Sequence, residues 1–424
     1  MTTASETKAA PRMKDGLVKR GATWSYVVRE RDPETGKSRP RWVGGFRTRD
    51  DAKRARDKAR AATHDGTYVA PRDVTVGEWL RVWLDAHAAT LKPSTLHSYR
   101  AKVASYLVPN LGGTKLQALS PSRLSKLWAD LAEHGGADGR CLSPRSVEYT
   151  RAILRKACAD AIVERLLTVN PVHGSKAPRR EAHDLLVWDN AQQTAFLDAT
   201  RADRWGTVWR LALATGMRRG ELCALTWAEV DLDRGRLRVA KSATQVGGDV
   251  VTTDTKNHEN RLVDLDPATV AALRELRKRQ AAERLAFGPG YAEDGLLFVW
   301  PDGSRVLPDY LSKEFMKAQA RVLAAQVEAA SEAIRRERPE ATDAEVSKLA
   351  GREVERSGAK LPRLTLHGCR HSHACTLLRA GIPVHAVAAR LGHKDPSVTL
   401  RVYAHAIPSD GAGAAAAVAL ALGG

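Results

Sequence analysis

The segment from His367 to Tyr403 reads HGCRHSHACTLLRAGIPVHAVAARLGHKDPSVTLRVY. It begins with the box HGCR (367–370), continues to LGH (391–393) and ends on Tyr403. A second arginine, Arg218, stands upstream in the stretch TGMRRGEL (215–222). Arginines and histidines around a tyrosine, without acidic metal ligands beside them, favour an enzyme that attacks a phosphodiester with a side-chain oxygen.

The chain is long and strongly basic. It has 424 residues, more than one ordinary core organises, so two or three domains are expected. Lys and Arg exceed Asp and Glu by 67 to 49, and the resulting net charge of +18 predicts a polyphosphate partner such as DNA. No apolar stretch is long enough for a signal core or a membrane span. We therefore expect a cytoplasmic, nucleoid-associated protein without a membrane partner.

The five cysteines are scattered and form no CxxC pair, so neither a disulfide framework nor a zinc knuckle is indicated. A metalloprotease-like zinc site on His367 and His371 would need glutamate directly after the first histidine, where Gly368 stands. We expect no metal ion and no organic cofactor.

A small β-rich domain is predicted for residues 15–66, after a disordered lead-in over residues 1–14. Alternation at 24–28 and 41–43 predicts strands, and the capping box at 48–51 opens a charged helix to about residue 62. Paired strands with basic side chains are able to enter a major groove, although a plain basic surface is the alternative. The candidate DNA contacts are Arg29, Arg39, Arg41 and Arg47.

A helical domain is predicted for residues 73–173. Thr75 and Glu78 form a capping box, and further helices begin near residues 93, 121 and 144. Trp79 and Trp83 repeat at helical spacing, which indicates a packed core and not a platform for base stacking. Residues 174–184 form the best linker candidate, and a basic linker is able to follow a phosphate backbone. Its basic residues are Lys176, Arg179 and Arg180.

The third domain, residues 185–410, is predicted to be mostly helical with a small sheet. Strands at 250–253 and 261–265 are expected to flank a polar hairpin loop that presents Lys256. The charged, Ala-rich and Glu-rich stretch 324–358 indicates a solvated helical insertion. The tail, residues 411–424, is either a helix that docks on a neighbouring protomer or a frayed terminus.

A tyrosine nucleophile needs assistance, because its pKa near ~10 makes ionisation at neutral pH cost roughly 4 kcal/mol. Arg218 and Arg370 are predicted to neutralise the non-bridging oxygens as the phosphorane forms. His367 precedes Arg370 by three residues, so both would face one phosphate from a helix. We therefore expect His367 to accept the proton of Tyr403 or to return it.

The remaining candidates have less specific signals. His393 is expected to donate to a non-bridging oxygen, and Lys256 to protonate the departing sugar oxygen. His371 and His373 are expected to be structural or surface residues of the helix, and Cys369 to pack in the core. The boxes in chain order are Arg218 with Glu221, the spacing from Lys256 to Arg261, His367-x-x-Arg370, Leu391-Gly392-His393 and Tyr403.

In this order the boxes resemble the tyrosine recombinases, in particular the phage-type integrases. The resemblance is strong over residues 185–407 and extends to 74–172, which look like the core-binding helical domain of the family. The first sixty-odd residues are similar to the three-stranded, one-helix arm-binding domain of integrases. The implied fold is multidomain and mainly α, with a β3α arm-binding domain, a helical core-binding bundle and an α+β catalytic domain.

The resemblance implies that Tyr403 forms a 3′-phosphotyrosyl link and releases a 5′-hydroxyl, with Glu221 supporting Arg218. It also implies a homotetramer acting on double-stranded DNA attachment sites of a mobile element, with a host bending factor or an excisionase as accessory partner. Two alternatives are a type IB topoisomerase-like nicking and religating enzyme and a catalytically idle DNA-binding protein. This chain departs from the family pattern at Gly368, where the family usually has Asp.

Overall fold

The computed structural model describes residues 15–31, 38–64, 68–69, 72–136, 139–178, 185–254, 260–358, 360–404, 418–419 and 421–422. The chain divides into two compact units, Met1–Glu181 and Ala182–Gly424. The first unit contains a small sheet with one helix and a helical bundle, and the second is mainly helical with small sheets. The predicted multidomain, mainly α fold is confirmed. Within the described ranges, no helix is both long and apolar enough to cross a membrane.

The N-terminal elements form an antiparallel sheet, with strand order β1-β2-β3, covered by one helix. They are β1 (Leu17–Arg20), β2 (Thr23–Arg31), β3 (Ser38–Phe46) and α1 (Arg49–His64). Tyr26 and Val28 of β2 share a core with Ala52 and Ala59 of α1. The strands and the helix predicted from the pattern are confirmed, and β1 adds a strand that alternation did not indicate. The predicted lead-in, residues 1–14, lies outside the described residues.

The helical bundle of the first unit follows. Its elements are α2 (Val76–His87), α3 (Pro93–Lys102), a π-helical turn (Val103–Leu107), α4 (Val108–Leu111), a 3-10 turn (Leu116–Ala118), α5 (Pro121–His134) and α6 (Pro144–Val163). Thr75 and Glu78 form the predicted capping box at the start of α2. Trp79 and Trp83 are buried, and their indole N–H groups donate to the carbonyl of Ala157 and to the carboxylate of Asp160. The prediction that these tryptophans are core residues is confirmed.

The expected linker, residues 174–184, begins within this bundle. Ser175 is buried, and its hydroxyl accepts a hydrogen bond from the indole N–H of Trp128 at 3.1 Å. Arg151 donates to the backbone carbonyl of Ser175 at 3.1 Å. Ser175 is therefore packed into the bundle through tertiary contacts that the Gly- and Pro-containing sequence does not indicate. The rest of the expected linker, with Arg179 and Arg180, lies outside the described residues.

The second unit surrounds an aromatic core in which Trp188, Phe196, Trp209 and Phe315 pack together. Its elements before the insertion are α7 (Asn190–Ala199), α8 (Gly206–Thr215), α9 (Arg219–Ala224), a 3-10 turn (Trp227–Glu229), β4 (Val230–Asp231), β5 (Arg236–Val239), β6 (Lys241–Val246), β7 (Asp249–Asp254), β8 (Arg261–Asp264), α10 (Pro267–Phe287) and a 3-10 turn (Gly288–Gly290). Those that follow are α11 (Pro308–Glu337), α12 (Asp343–Arg356), α13 (Leu366–Arg379), α14 (Val384–Leu391) and α15 (Pro396–Tyr403).

The strand pairing corrects one prediction. The segments around 250–253 and 261–265 are strands, but they do not pair with each other. Instead, β7 pairs with β6 across the turn at Gly247, and β8 pairs with β5. Gly247 has φ of +63°, which suits a tight hairpin turn. Alternation identifies a strand but not its partner, and Lys256 itself lies outside the described residues.

The stretch 324–358 is helical, as predicted. It contains the second half of α11 and all of α12, which starts with a capping box between Thr342 and Glu345. Val346, Ala350 and Val354 are buried along one face of α12, so the stretch is packed on one side and solvated on the other. Of the tail, residues 411–424, only 418–419 and 421–422 are described, so most of the predicted docking helix or frayed terminus lies outside the described residues.

Candidate active site

The predicted residues of the second unit come together from four segments. Arg218 immediately precedes α9, His367 and Arg370 lie near the start of α13, His393 follows α14, and Tyr403 ends α15. The positive charges of Arg218 and Arg370 act on the pKa values of both His393 and Tyr403. Five residues from four segments that are far apart in sequence therefore form one site.

Arg370 is 2% exposed, and backbone carbonyls hold its guanidinium. Nη1 donates to Gly216 at 2.8 Å and Nη2 to Leu391 at 2.7 Å. Gly216 ends α8 with φ of +63°, and a Cβ there would lie 2.7 Å from the His373 ring. Glycine is required at this close approach. Burial, followed by the charge of Arg218, lowers the pKa of Arg370 to about 9, which leaves it cationic at neutral pH.

Glu221 is a buried carboxylate between two arginines. Arg218 donates to it through Nη1 at 2.8 Å and through its backbone N–H at 2.9 Å. Arg261 donates to both carboxylate oxygens, at 3.2 and 2.6 Å. Burial raises the pKa of Glu221, but the hydrogen bond and charge of Arg261 and those of Arg218 outweigh it, and the pKa lies below its ordinary value. Glu221 is therefore a carboxylate that holds both Arg218 and Arg261 by hydrogen bonds.

The carbonyl end of α14 binds all three arginines. Arg261 Nε donates to the carbonyl of Arg390 at 2.9 Å, Arg370 to that of Leu391, and Arg218 to that of Gly392 at 3.4 Å. The last carbonyls of a helix lack intrahelical partners and carry partial negative charge. This helix end therefore both satisfies and orients the guanidinium groups.

Tyr403 is 1% exposed, and its hydroxyl oxygen lies 2.7 Å from Nδ1 of His371. Burial raises the pKa of Tyr403 to about 12, although the charge of Arg370 acts in the opposite direction. Burial, followed by the charges of His367 and Arg370, lowers the pKa of His371 to about 4. Both partners are neutral at pH 7. The expectation of a structural or surface residue did not include this contact, which arises because α13 directs His371 at the phenol.

The two other histidines of the site occupy different positions. His367 is exposed, and its ring lies perpendicular to that of His371 with centroids 4.8 Å apart. His393 is half-buried, with Nδ1 2.7 Å from the hydroxyl of Thr399. Burial and then the charge of Arg370 lower the pKa of His393 to about 4, so it is a neutral imidazole at pH 7. A neutral imidazole is able to donate one hydrogen bond to a phosphate oxygen.

His373 and Cys369 are structural, as predicted. Nδ1 of His373 lies 2.9 Å from the carbonyl of Leu213, and its Nε2 accepts from Arg390 at 3.1 Å. Cys369 is fully buried in the main core, and burial raises the pKa of its thiol. A thiol nucleophile at this position would be protonated and shielded.

Gly368 lies against the side chain of Leu364. A Cβ built at Gly368 would come within 2.5 Å of Cγ and Cδ1 of Leu364. The Asp that the family usually has at this position would therefore overlap the space that Leu364 fills in this protein. The backbone N–H of Gly368 donates to Thr365, which caps α13.

The predicted DNA contacts are distributed over several surfaces. Arg29, Arg39, Arg47 and Lys176 are exposed, and Arg41 is half-buried. Register places Arg41 opposite the buried Val28, on the face that α1 covers, and Arg39 two residues away on the same face. Arg29 is on the open face. Arg179, Arg180 and the predicted catalytic Lys256 lie outside the described residues.

Sequence reasoning missed two residues of the site. Arg261 enters the sequence prediction only through its spacing from Lys256, and its position at the start of a strand gives no sign that it reaches Glu221. His371 directly follows Arg370, and adjacent residues on a helix usually point in different directions. Its distance of four residues from His367 was the available signal, since that spacing places both on one side of α13.

Comparison with known proteins identifies the family. The profile described as the Phage integrase family matches residues 189–409, which is more than half of the chain. The profile of the phage integrase N-terminal SAM-like domain matches residues 75–131, and that of an arm DNA-binding domain matches residues 17–60. The chain belongs to the phage integrase family.

Related proteins of similar length support this family assignment. A XerC-like tyrosine recombinase of Caldanaerobacter subterraneus subsp. tengcongensis is 22% identical over 386 residues, covering 85% of this chain and 87% of the relative. The ICEBs1 integrase of Bacillus subtilis is 22% identical over 382 residues, covering 89% and 91%. The protein is accordingly a tyrosine site-specific recombinase of the integrase type.

Solved structures share the fold at low identity. The Tn1549 transposon integrase in complex with transposon right end DNA has a TM-score of 0.60 at 17% identity, covering 83% of this chain and 100% of the other. A lambda integrase dimer bound to a core site has a TM-score of 0.52 at 18% identity, covering 93% and 96%.

The contact between Gly368 and Leu364 makes a testable prediction. Gly368→Ala is expected to destabilise the protein by about 1–3 kcal/mol, because the added methyl overpacks the core. Combined with Leu364→Ala, the loss should be smaller than the sum of the two single losses by at least about 0.5 kcal/mol. Shifts of the urea denaturation midpoint measure both. Gly351→Ala is the control, because α12 offers open space there and the change should be neutral or stabilising. Additive losses would contradict the contact.

Proposed function

We propose that Tyr403 is the nucleophile with which this recombinase cleaves and rejoins DNA to integrate or excise a mobile element. The supporting observation is the convergence of Tyr403 with Arg218, Arg370 and His393 in one site. Tyr403 Oη forms a bond to the scissile phosphorus while the bond to the 5′-oxygen breaks. The product is a 3′-phosphotyrosyl link that conserves the bond energy. A 5′-hydroxyl of the partner duplex then attacks the phosphorus and releases Tyr403.

Each residue of the site has a proposed role in this reaction. Arg218 and Arg370 bind the non-bridging oxygens, and their prior attachment to protein carbonyls lowers the reorganisation required in the transition state. His393 donates a hydrogen bond to one of the same oxygens. Lys256 is proposed to protonate the departing 5′-oxygen. These roles require no metal ion or nucleotide cofactor.

The phenol needs a proton acceptor at the moment of attack. A pKa of about 12 means that ionisation at pH 7 costs about 7 kcal/mol. His371 is placed to accept the proton, because its Nδ1 already lies 2.7 Å from the hydroxyl. Arrival of the phosphate anion offsets the nearby positive charges that disfavour protonated His371. His367, the acceptor expected from sequence, is the second candidate, and it is exposed where a phosphate could reach it.

We also propose the assembly and its partners. A related lambda integrase structure is described as a tetramer bound to a Holliday junction, with a TM-score of 0.52 to this chain. By analogy, four copies of this chain would act on two double-stranded attachment sites in the cytoplasm, on the nucleoid. A host bending factor or an excisionase would control direction. Neither the topoisomerase alternative nor the idle DNA-binding protein is favoured, since the curated relatives are named integrases or recombinases.

The domains are proposed to have separate DNA roles: arm binding by residues 15–66, core-site binding by 73–173 and catalysis by 185–410. The open face of the N-terminal sheet is the better candidate for arm DNA. Arg29 lies there with Trp42, an exposed residue whose ring centroid is 4.4 Å from the guanidinium carbon of Arg20. Arg39 and Arg41 would contact DNA from the other face of the sheet. Arg47 would contact it from the end of β3, and Lys176 would contact it from the helical bundle. Arg179 and Arg180 would contact the phosphate backbone from the segment that follows the bundle.

The nucleophile is tested with a suicide substrate that carries the core site. Wild-type protein is expected to form a covalent protein–DNA adduct, and Tyr403→Phe none, because the attacking oxygen is gone. Tyr310→Phe removes a hydroxyl from the same unit and should leave adduct formation unchanged. Non-covalent binding should be equal in all three. An adduct that persists in Tyr403→Phe would overturn the assignment.

The proton acceptor is tested with His371→Gln. Loss of the acceptor is expected to slow single-turnover cleavage by about 10²–10⁴-fold. Replacing Tyr403 with a fluorinated tyrosine lowers the phenol pKa, so it should restore a large part of this rate in His371→Gln but not in His393→Gln. His385→Gln, on an exposed part of α14, is the control. If His371→Gln cleaves normally while His367→Gln is slow and rescued, His367 has the role.

The arm-binding face is tested by comparing Arg29→Ala with Arg41→Ala. If the open face contacts DNA, Arg29→Ala should weaken binding to arm-type DNA and reduce the slope of log K against log salt concentration by about 1. Arg41→Ala is the matched variant on the helix-covered face and should have a smaller effect. Cleavage of an isolated core site should be unaffected in both. The reverse order of effects would place the DNA on the other face.

A further inference from the structure

Arg261 is a largely buried arginine of the site that the proposed chemistry does not use. It is the first residue of β8, and its side chain is 11% exposed. Nη1 and Nη2 donate to the two oxygens of Glu221, and Nε donates to the carbonyl of Arg390. All three nitrogens of the guanidinium are therefore engaged with the supports of the catalytic residues.

We infer that Arg261 is a positioning residue, which shares the Glu221 carboxylate with Arg218 and thereby holds Arg218 where the scissile phosphate binds. The inference rests on the proposed role of Arg218 as a phosphate ligand. Arg218 remains 42% exposed, in contrast to Arg261 and Arg370, so it is the arginine whose orientation the surrounding packing restrains least.

The charges around Glu221 explain why a second arginine is needed. Glu221 is 2% exposed, and a buried carboxylate needs compensation from cations and hydrogen bonds. With Arg261 removed, Arg218 would be the remaining guanidinium partner of this carboxylate. Arg218 would then be drawn toward Glu221 and away from the position that a phosphate requires.

The geometry extends the role of Arg261 to the end of α14. Gly392 ends this helix with φ of +68°, and a Cβ built there would lie 3.0 Å from Nη1 of Arg261. The carbonyls of Leu391 and Gly392, which bind Arg370 and Arg218, directly follow the carbonyl of Arg390 that Arg261 binds. Arg261 therefore restrains both supports of Arg218, the carboxylate and the helix end.

The experiment compares Arg261→Gln, Arg261→Lys, Glu221→Gln and the double variant Arg261→Gln/Glu221→Gln in the full chain. Two quantities are measured on a core-site suicide substrate: the rate of single-turnover adduct formation and the non-covalent affinity. Arg236→Gln is the matched control, because Arg236 also forms an arginine–carboxylate bond in this sheet, with Asp264 at 2.6 Å, but on the exposed surface. Thermal denaturation of each variant monitors folding.

Arg261→Gln is expected to slow adduct formation by about 10²-fold, the size of effect that a misplacement of about 1 Å has on catalysis. The non-covalent affinity should change less than about threefold, since contacts with the phosphate backbone outside the active site dominate DNA binding. The double variant should cleave at least about tenfold faster than Arg261→Gln, because the neutral amide that Glu221→Gln introduces no longer draws Arg218 away. Arg261→Lys should be intermediate, since one ammonium cannot replace the two-pronged contact.

Wild-type rates in Arg261→Gln would overturn the inference. A double variant no faster than Arg261→Gln would also overturn it, and would assign Arg261 a role in folding alone. If Arg261→Gln does not fold, the rate of Arg261→Lys and its change on adding Glu221→Gln decide the question in the same way. Failure of the proposed function is distinguishable, because wild-type protein itself would then form no Tyr403-dependent adduct.

Discussion

The compensation of three clustered guanidinium groups is the interaction on which the architecture of the catalytic unit depends. Arg218, Arg261 and Arg370 repel one another, and two of them are almost fully removed from water. The buried carboxylate of Glu221 and the carbonyl end of α14 supply the opposing charge. Removing either would leave these cations with only part of their compensation, which is destabilising for groups withdrawn from water.

This compensation connects elements that are distant in the chain. The guanidinium groups come from the start of α9, from β8 and from α13, and all three meet the end of α14. Hydrogen bonds that stabilise the fold therefore also orient the groups that would bind a phosphate. Such preorganisation favours catalysis, because the donors do not need to move as negative charge develops. The nucleophile is held differently, as a neutral and buried phenol beside a neutral imidazole.

Much of the local structure could be predicted from sequence. Helix starts carry their own signals, and the predicted capping box at Thr75 is present in the structure. Burial of Trp79, Trp83 and Cys369 followed from helical spacing. Contacts between separate elements were not accessible in this way. The partner of β7, the packing of Ser175 and the direction of His371 each depend on a neighbour that is far away in the chain.

The sequence by itself determined which chemistry is available: Arg218, Glu221, His367, Arg370, His393 and Tyr403 occur in an order and spacing that fit the phage integrase family. Residue types carry intrinsic charge, pKa and hydrogen-bonding capacity, so their identities limit the reaction class before any fold is known. Only the tertiary structure decided which groups touch. It placed His371 at the phenol and Arg261 on Glu221, because packing between elements that are distant in the chain sets these contacts, and local sequence patterns do not specify which elements meet.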